Sequence, residues 1–154
     1  MKLPAVTIYT DGSCLKNGSS AASGGWAAIL SWRNKERELC GGSSDSPTNN
    51  RMELTAIIES LRLLTKPCKV TIVTDSKYAC NRMENLDTLQ ENGWLTSKGC
   101  VPLNVDLLMQ LKAVTMAGNH VIEWQYVKAH NGHPQNERCD ALAKEQAKKF
   151  QVII

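Results

Sequence analysis

No run in this 154-residue chain is long and apolar enough to span a membrane, and the apolar stretch after Met1 and Lys2 breaks at Thr10 and Asp11, too early for a signal-peptide core. A membrane role is not expected, and the expected localisation is cytoplasmic. Cysteine pairing is also missing. Cys14, Cys40, Cys68, Cys80, Cys100 and Cys139 are scattered without a CxxC pair, so they read as reduced thiols, mostly packing. The charge balance is nearly even: a net charge of +3 tolerates a polyanionic partner without requiring one. There is no GxGxxG after the first strand pattern, which argues against a dinucleotide cofactor, and no GxSxG elbow around Ser13 or Ser76 for acyl chemistry. No linker or low-complexity stretch divides the chain, and Gly18 to Gly25 is its loosest segment. With 42% hydrophobic residues, one core and a single domain over residues 1–154 are expected.

The patterning is that of alternating strands and helices. Ala5 to Thr10 is strand-like and stops at Asp11-Gly12-Ser13, followed by a loop from Cys14 to Ser23. Gly24 to Trp32 and Glu36 to Gly41 form two more strand patterns around the turn Arg33-Asn34-Lys35. Thr48-Asn49 caps a helix whose apolar stripe runs through Leu54, Ile57, Ile58, Leu61 and Leu64, placing Glu53 in its first turn. Lys69 to Thr74 is again strand-like and again stops at an aspartate, in Thr74-Asp75-Ser76. A helix follows from Ser76, and the segment from Asn85 to Pro102 has no clear period. Asn104 caps a helix with Leu107, Leu108, Leu111 and Val114 inward, closed by Gly118. His120 to Val127 is a strand and Lys128 to Gln135 a loop. From about Asn136 a last helix carries Cys139, Leu142, Ala143, Ala147 and Phe150 on one face, with Asp140 on the same helix. The expected fold is α/β: a five-stranded mixed sheet, three strands antiparallel and two parallel, with helices on both faces.

In such sheets ligands gather beyond the carboxyl ends of parallel strands, where Asp11 and Asp75 fall. Asp11, Glu53, Asp75 and Asp140, if they converge, would repel one another unless protonated or bound to a cation, and all-oxygen ligation suits Mg²⁺. Two such ions roughly 3.5–4 Å apart serve in-line phosphodiester hydrolysis. Taken singly, each acid has a plainer reading: Asp11 and Asp75 as turn residues, Glu53 as a helix-start acid, Asp140 as a solvated one. Zinc ligation by His130, His133 and Cys139 lacks a fourth partner of recognised spacing.

Four ordered blocks carry a resemblance: Tyr9-Thr10-Asp11-Gly12-Ser13-Cys14, Thr48-Asn49-Asn50-Arg51-Met52-Glu53-Leu54, Thr74-Asp75-Ser76, and Gly132-His133-Pro134-Gln135-Asn136-Glu137-Arg138-Cys139-Asp140. From about Val6 to Ala147 the chain resembles type 1 ribonuclease H of the bacterial kind. The resemblance implies the ribonuclease H-like fold and a monomeric endoribonuclease without organic cofactor. Such an enzyme hydrolyses the RNA strand of RNA/DNA hybrids, leaving 5′-phosphate and 3′-hydroxyl ends. It further implies that Asp11, Glu53, Asp75 and Asp140 ligate two Mg²⁺ ions, with Asp11 bridging and Mn²⁺ as a substitute. His130 matches a mobile-loop histidine that assists proton transfer or product departure, and Glu137 matches an acid just outside the ligand set. Asn17, Asn49 and Asn50 resemble contacts in the hybrid's minor groove, where the 2′-hydroxyl is exposed. Thr48 and Asn104 resemble a pocket for a DNA-strand phosphate, although helix capping is an alternative use of both.

The chain departs from well-known bacterial members in three places. Gly18-Ser19-Ser20-Ala21-Ala22-Ser23 replaces a Gly/Pro-rich run in a longer loop, and Lys77 stands where a groove-reading glutamine is usual. The segment from Met83 to Trp94 matches the basic handle of those members but has none of its lysines, which predicts weaker hybrid binding. Trp94 is assigned either a DNA-strand contact or a packing role. Lys144, Lys148 and Lys149 form a basic stripe, most simply a solvated face. An integrase-like nuclease and a catalytically silent hybrid-binding module are the rival readings; the acid order Asp, Glu, Asp, Asp favours ribonuclease H.

Overall fold

A computed structural model describes residues 2–151; Met1 and residues 152–154 of the expected single domain lie outside the described residues. Three antiparallel strands come first: β1 (Ala5–Leu15), β2 (Ser23–Trp32) and β3 (Lys35–Ser43). The β2–β3 hairpin closes tightly, with Trp32 opposite Lys35 and both Arg33 and Asn34 in the left-handed region, as a two-residue turn that follows strand twist requires. After α1 (Asn49–Arg62), β4 (Lys69–Thr74) pairs parallel to β1. Two short helices, α2 (Lys77–Glu84) and α3 (Leu86–Glu91), then α4 (Val105–Gly118), lead to β5 (Val121–Tyr126), parallel to β4. The chain then forms α5 (Pro134–Lys149). The sheet order is β3-β2-β1-β4-β5, the mixed five-stranded arrangement expected.

Alternation along β1 splits the core in two. Ile8 packs with Leu54, Ile57, Ile58 and Leu61 of α1, Leu108 and Leu111 of α4, and Val70 and Ile72 of β4. Tyr9 packs on the other face with Ala27, Ile29, Cys139, Leu142 and Ala143. The α1 stripe and the α5 stripe thus cover opposite faces, since successive strand residues point opposite ways. Phe150 is the exception on the α5 stripe: it lies past the helix and is exposed.

Several sequence expectations are corrected. β1 does not stop at Asp11: pairing with β2 continues from Asp11 opposite Ala27 to Leu15 opposite Ser23, so the expected loop shrinks to residues 16–22. Gly24 and Gly25, which close the loosest stretch and open the Gly24 to Trp32 strand pattern, are buried strand residues as the strand pattern has them. Glu53 is the fifth residue of α1, beyond the first turn, because the cap is Thr48, whose Oγ1 accepts from the Arg51 N–H at 3.1 Å. Asn104 makes no side-chain cap; its amide is taken by Arg51 and Tyr78 instead. Gly118 lies within α4, and Asn119 supplies the left-handed residue at its end. His120, expected to open the strand, precedes β5 and is buried, where its Nδ1 accepts from the Cys68 N–H at 3.1 Å, a structural role. α5 begins at Pro134, a residue suited to the first helical position because it has no N–H to lose. The unreadable segment from Asn85 to Pro102 contains α3, whose Leu86 and Leu89 join the core. Of the six free thiols only those of Cys68 and Cys139 are fully buried, so packing accounts for fewer than expected.

Candidate active site

Strand register brings the first two acids together. The parallel ladder pairs Tyr9 with Val73, and Asp11 and Asp75 each lie two residues further on, at the same level beyond the last parallel pair. The repeated Thr-Asp, placed just past the end of the β1–β4 parallel pairing, therefore delivers two carboxylates side by side. Glu53 arrives from α1, and Gly12 is what lets α1 come close enough: a Cβ at Gly12 would lie 2.5 Å from the Glu53 amide nitrogen and 2.6 Å from the Met52 carbonyl carbon. As a result one carboxylate oxygen from each of Asp11, Glu53 and Asp75 lies within 4.8 Å of the others.

The cluster is buried and electrostatically unfavourable. Asp11 is 6% exposed and Glu53 7%. Burial first, and then the charge of Asp75, push the Asp11 carboxyl up to about 7, against the hydrogen bond its Oδ1 accepts from the Gly12 N–H at 2.9 Å. Burial and then Asp11 raise Glu53 well above the usual carboxylate range; burial raises Asp75 too. Glu53 Oε2 is buried without a hydrogen-bond partner among the described residues. A set of hard oxygen donors that repel one another and leave one acceptor unsatisfied fits a divalent cation such as Mg²⁺.

Asp140 is not part of this tight trio. It sits on α5, which reaches the sheet because Gly25 has no side chain: a Cβ there would meet the Ala143 carbonyl oxygen at 2.0 Å. Its negative charge is felt by Asp11 and Asp75, while its Oδ2 is paired with Lys144 Nζ at 3.0 Å. Asp75, His130, Glu137 and Asp140 line one small crevice together with Lys128. His130, in a left-handed conformation, turns Nδ1 toward Glu137 Oε2 at 3.8 Å; both side chains are exposed. His133 precedes Pro134 at the start of α5 without a capping bond, consistent with shaping that junction.

The expected substrate contacts form a second group around the start of α1. Asn17 Oδ1 accepts from the Asn49 N–H at 3.2 Å, Thr48 caps the helix, and Asn49 and Asn50 are exposed beside it. Asn104 is drawn to the same place by Arg51, whose Nη1 donates to Asn104 Oδ1 at 3.3 Å while its guanidinium grips Asp106 at 2.9 and 2.7 Å. Asn104 in turn donates to Tyr78 Oη at 2.9 Å. Arg51 was missed from the sequence; its place three residues after the cap was the available signal. Trp94 is half-buried and packs against the larger core, which is the packing role among its two readings. The exposed residues of the former handle include Glu84, Asp87 and Glu91, and Asp87 pairs with Lys112. A concavity of about 620 Å³ beside Arg82 and Asn92 is lined by none of the four acids.

The mixed sheet with acids gathered beyond its parallel strand ends defines the ribonuclease H-like class of nuclease folds. The family model described as RNase H matches residues 4–148. The chain is 46% identical over 146 residues to a ribonuclease H of Nitratidesulfovibrio vulgaris (strain DP4), covering 94% of this chain and 90% of that one. It is 45% identical over 143 residues to the ribonuclease HI of Caulobacter vibrioides, covering 92% of each. Among solved structures it superposes on LC9-RNase H1, a type 1 RNase H with the type 2 active-site motif, with a TM-score of 0.84 and 28% identity, over 98% of this chain and 75% of that one. The chain belongs to the RNase H family, with the bacterial type 1 enzymes, and is an RNase H endonuclease. Among the described residues no helix is long and apolar enough to cross a membrane.

Proposed function

We propose that this protein, as a monomeric single domain in the cytoplasm, hydrolyses the RNA strand of RNA/DNA hybrids and leaves 5′-phosphate and 3′-hydroxyl ends. The observation that carries the reading is the buried Asp11–Glu53–Asp75 trio with its oxygens within 4.8 Å of one another. Asp11, Glu53, Asp75 and Asp140 would hold the divalent cations, two Mg²⁺ with Mn²⁺ as a substitute, and these would supply the Lewis acid for phosphodiester hydrolysis. When bound, the metal supplies an activated water and screens the negative charge of the scissile phosphate.

The chain's own groups supply the rest. Burial of Asp11 and Glu53 keeps bulk water from competing for their oxygens, and the Gly12 N–H fixes the Asp11 carboxylate by hydrogen bonding to Oδ1. Asp140, whose Oδ2 is paired with Lys144 Nζ at 3.0 Å, would offer its remaining carboxylate oxygen as a ligand. The His130 imidazole, turned by Glu137 at Nδ1, offers Nε2 for a proton as product departs. Asn17, Asn49 and Asn50 read the minor groove and its 2′-hydroxyls, while Thr48 and Asn104 take a DNA-strand phosphate. Trp94 contributes through packing that braces the α3 region, with any DNA-strand contact limited to its exposed edge.

A hybrid with separately labelled strands tests this. Cleavage is expected in the RNA strand alone, dependent on Mg²⁺, abolished by EDTA and absent in a folded Asp11→Asn variant. Cutting of the DNA strand, or cutting that survives EDTA, overturns it.

A further inference from the structure

We infer that the crevice between the His130 loop and the start of α5 holds one ordered water molecule on the side-chain amide of Asn136, and that Asn136 is thereby a positioning residue for the loop. The inference rests on the proposed role of His130 and names what holds that histidine in place. Asp75, Lys128, His130, Asn136, Glu137 and Asp140 wall the crevice, whose volume of about 10 Å³ is about the least that admits a single water.

Asn136 is the third residue of α5. It stands one helical turn before Asp140 on the same face, so the packing that brings Asp140 to the acids carries Asn136 with it. Its Oδ1 is completely enclosed, yet it accepts no hydrogen bond from any group among the described residues. The ionised carboxylates around it cannot serve, because they too only accept. A buried amide oxygen left unpaired is costly, and a polar crevice of one water's size is where such an oxygen finds a donor.

The loop itself is short of anchors. Among the described residues its flanks are tied, with the Val127 N–H donating to the Thr74 carbonyl at 2.9 Å and the Glu137 N–H to the His133 carbonyl at 2.9 Å, but residues 128–132 make no hydrogen bond to the rest of the chain. His130 Nδ1 lies 3.8 Å from Glu137 Oε2 with both side chains exposed, a contact too long and too wet to hold the loop. A water bonded to Asn136 Oδ1 has a second proton to give, so it reaches a loop carbonyl at the same time and ties loop to helix.

The test is a crystal structure and amide hydrogen exchange of the wild type and of Asn136→Leu, with steady-state and single-turnover cleavage in Mg²⁺. Leucine matches asparagine in shape but offers no acceptor. The wild type is expected to show one water between Asn136 and residues 128–132. Asn136→Leu should lose it, exchange the loop amides faster and lower kcat about tenfold, the low end for groups that orient a functional side chain. KM and the single-turnover rate should be retained, because His130 acts as product departs. Asn136→Asp, which keeps an oxygen in place, should keep the water and the slow exchange. A dry crevice or an Asn136 oxygen bonded directly to a protein group overturns the inference. So does a leucine variant with wild-type exchange and kcat, in which the side chain only fills space, or one whose single-turnover rate falls as far as kcat. The water and the exchange are read without cleavage, so a wild type that fails to cut hybrid sinks the proposed function while the role of Asn136 is still decided.

Discussion

Replacing Asp11 by Asn should stabilise the metal-free protein while abolishing cleavage. Asp11 is almost fully buried, and its carboxyl is raised from 3.8 to about 7 by burial and by Asp75. In the pH range between those values the folded protein holds a proton that the unfolded chain has released. Stability from this group is therefore complete below about pH 4 and lost as pH rises through about 7. One pH unit corresponds to about 1.4 kcal/mol, so ionising Asp11 in the fold costs up to about 4 kcal/mol above neutral pH. Asparagine removes that cost and keeps an oxygen for the Gly12 N–H. At about pH 8 in EDTA, Asp11→Asn should melt about 5–15 °C above the wild type, with the difference nearly gone at about pH 4. Added Mg²⁺ should raise the wild-type melting temperature and narrow the gap, since bound cation stabilises only the fold that binds it. Scanning calorimetry at the two pH values, with and without Mg²⁺, measures all of this. A variant no more stable than wild type at the higher pH, or equally favoured at both, would refute the electrostatic reasoning.

Glu53→Gln should show the same pH-dependent stabilisation in EDTA, because burial and Asp11 raise its carboxyl, and it should lose cleavage; an unaltered cleavage rate counts against its ligand role. Gly12→Ala forces a methyl into the α1 backbone 2.5 Å away, so urea denaturation should show a loss of about 1–3 kcal/mol together with reduced cleavage. Glu84→Lys with Glu91→Lys should restore handle charge and steepen the salt dependence of hybrid binding by about one or two in the log–log slope; an unchanged slope means that surface does not meet the hybrid. Asp106→Ala frees the Arg51 guanidinium and should cost under about 1 kcal/mol of stability, because the pair is partly exposed, but it should weaken hybrid binding if Arg51 positions Asn104.

Local patterning in the sequence was enough for the order of the strands and of the helices other than α3, for the α1 and α5 apolar faces and for the end of β4 at Thr74-Asp75, because these depend on side-chain periodicity and on residues adjacent in the chain. It also carried the four motifs by which the family is recognised. Convergence of the acids was not written in any one segment. The Tyr9–Val73 register levels Asp11 with Asp75, the missing Cβ of Gly12 admits Glu53, and that of Gly25 admits the helix bearing Asp140. The same non-local packing kept β1 going beyond Asp11, turned Asn104 from a cap into a partner of Arg51 and Tyr78, and set Asn136 in one crevice with His130 and Asp75. Periodicity assigns a residue to a face, but only the distance between backbones decides which faces meet, and the electrostatics of this site depend on that distance.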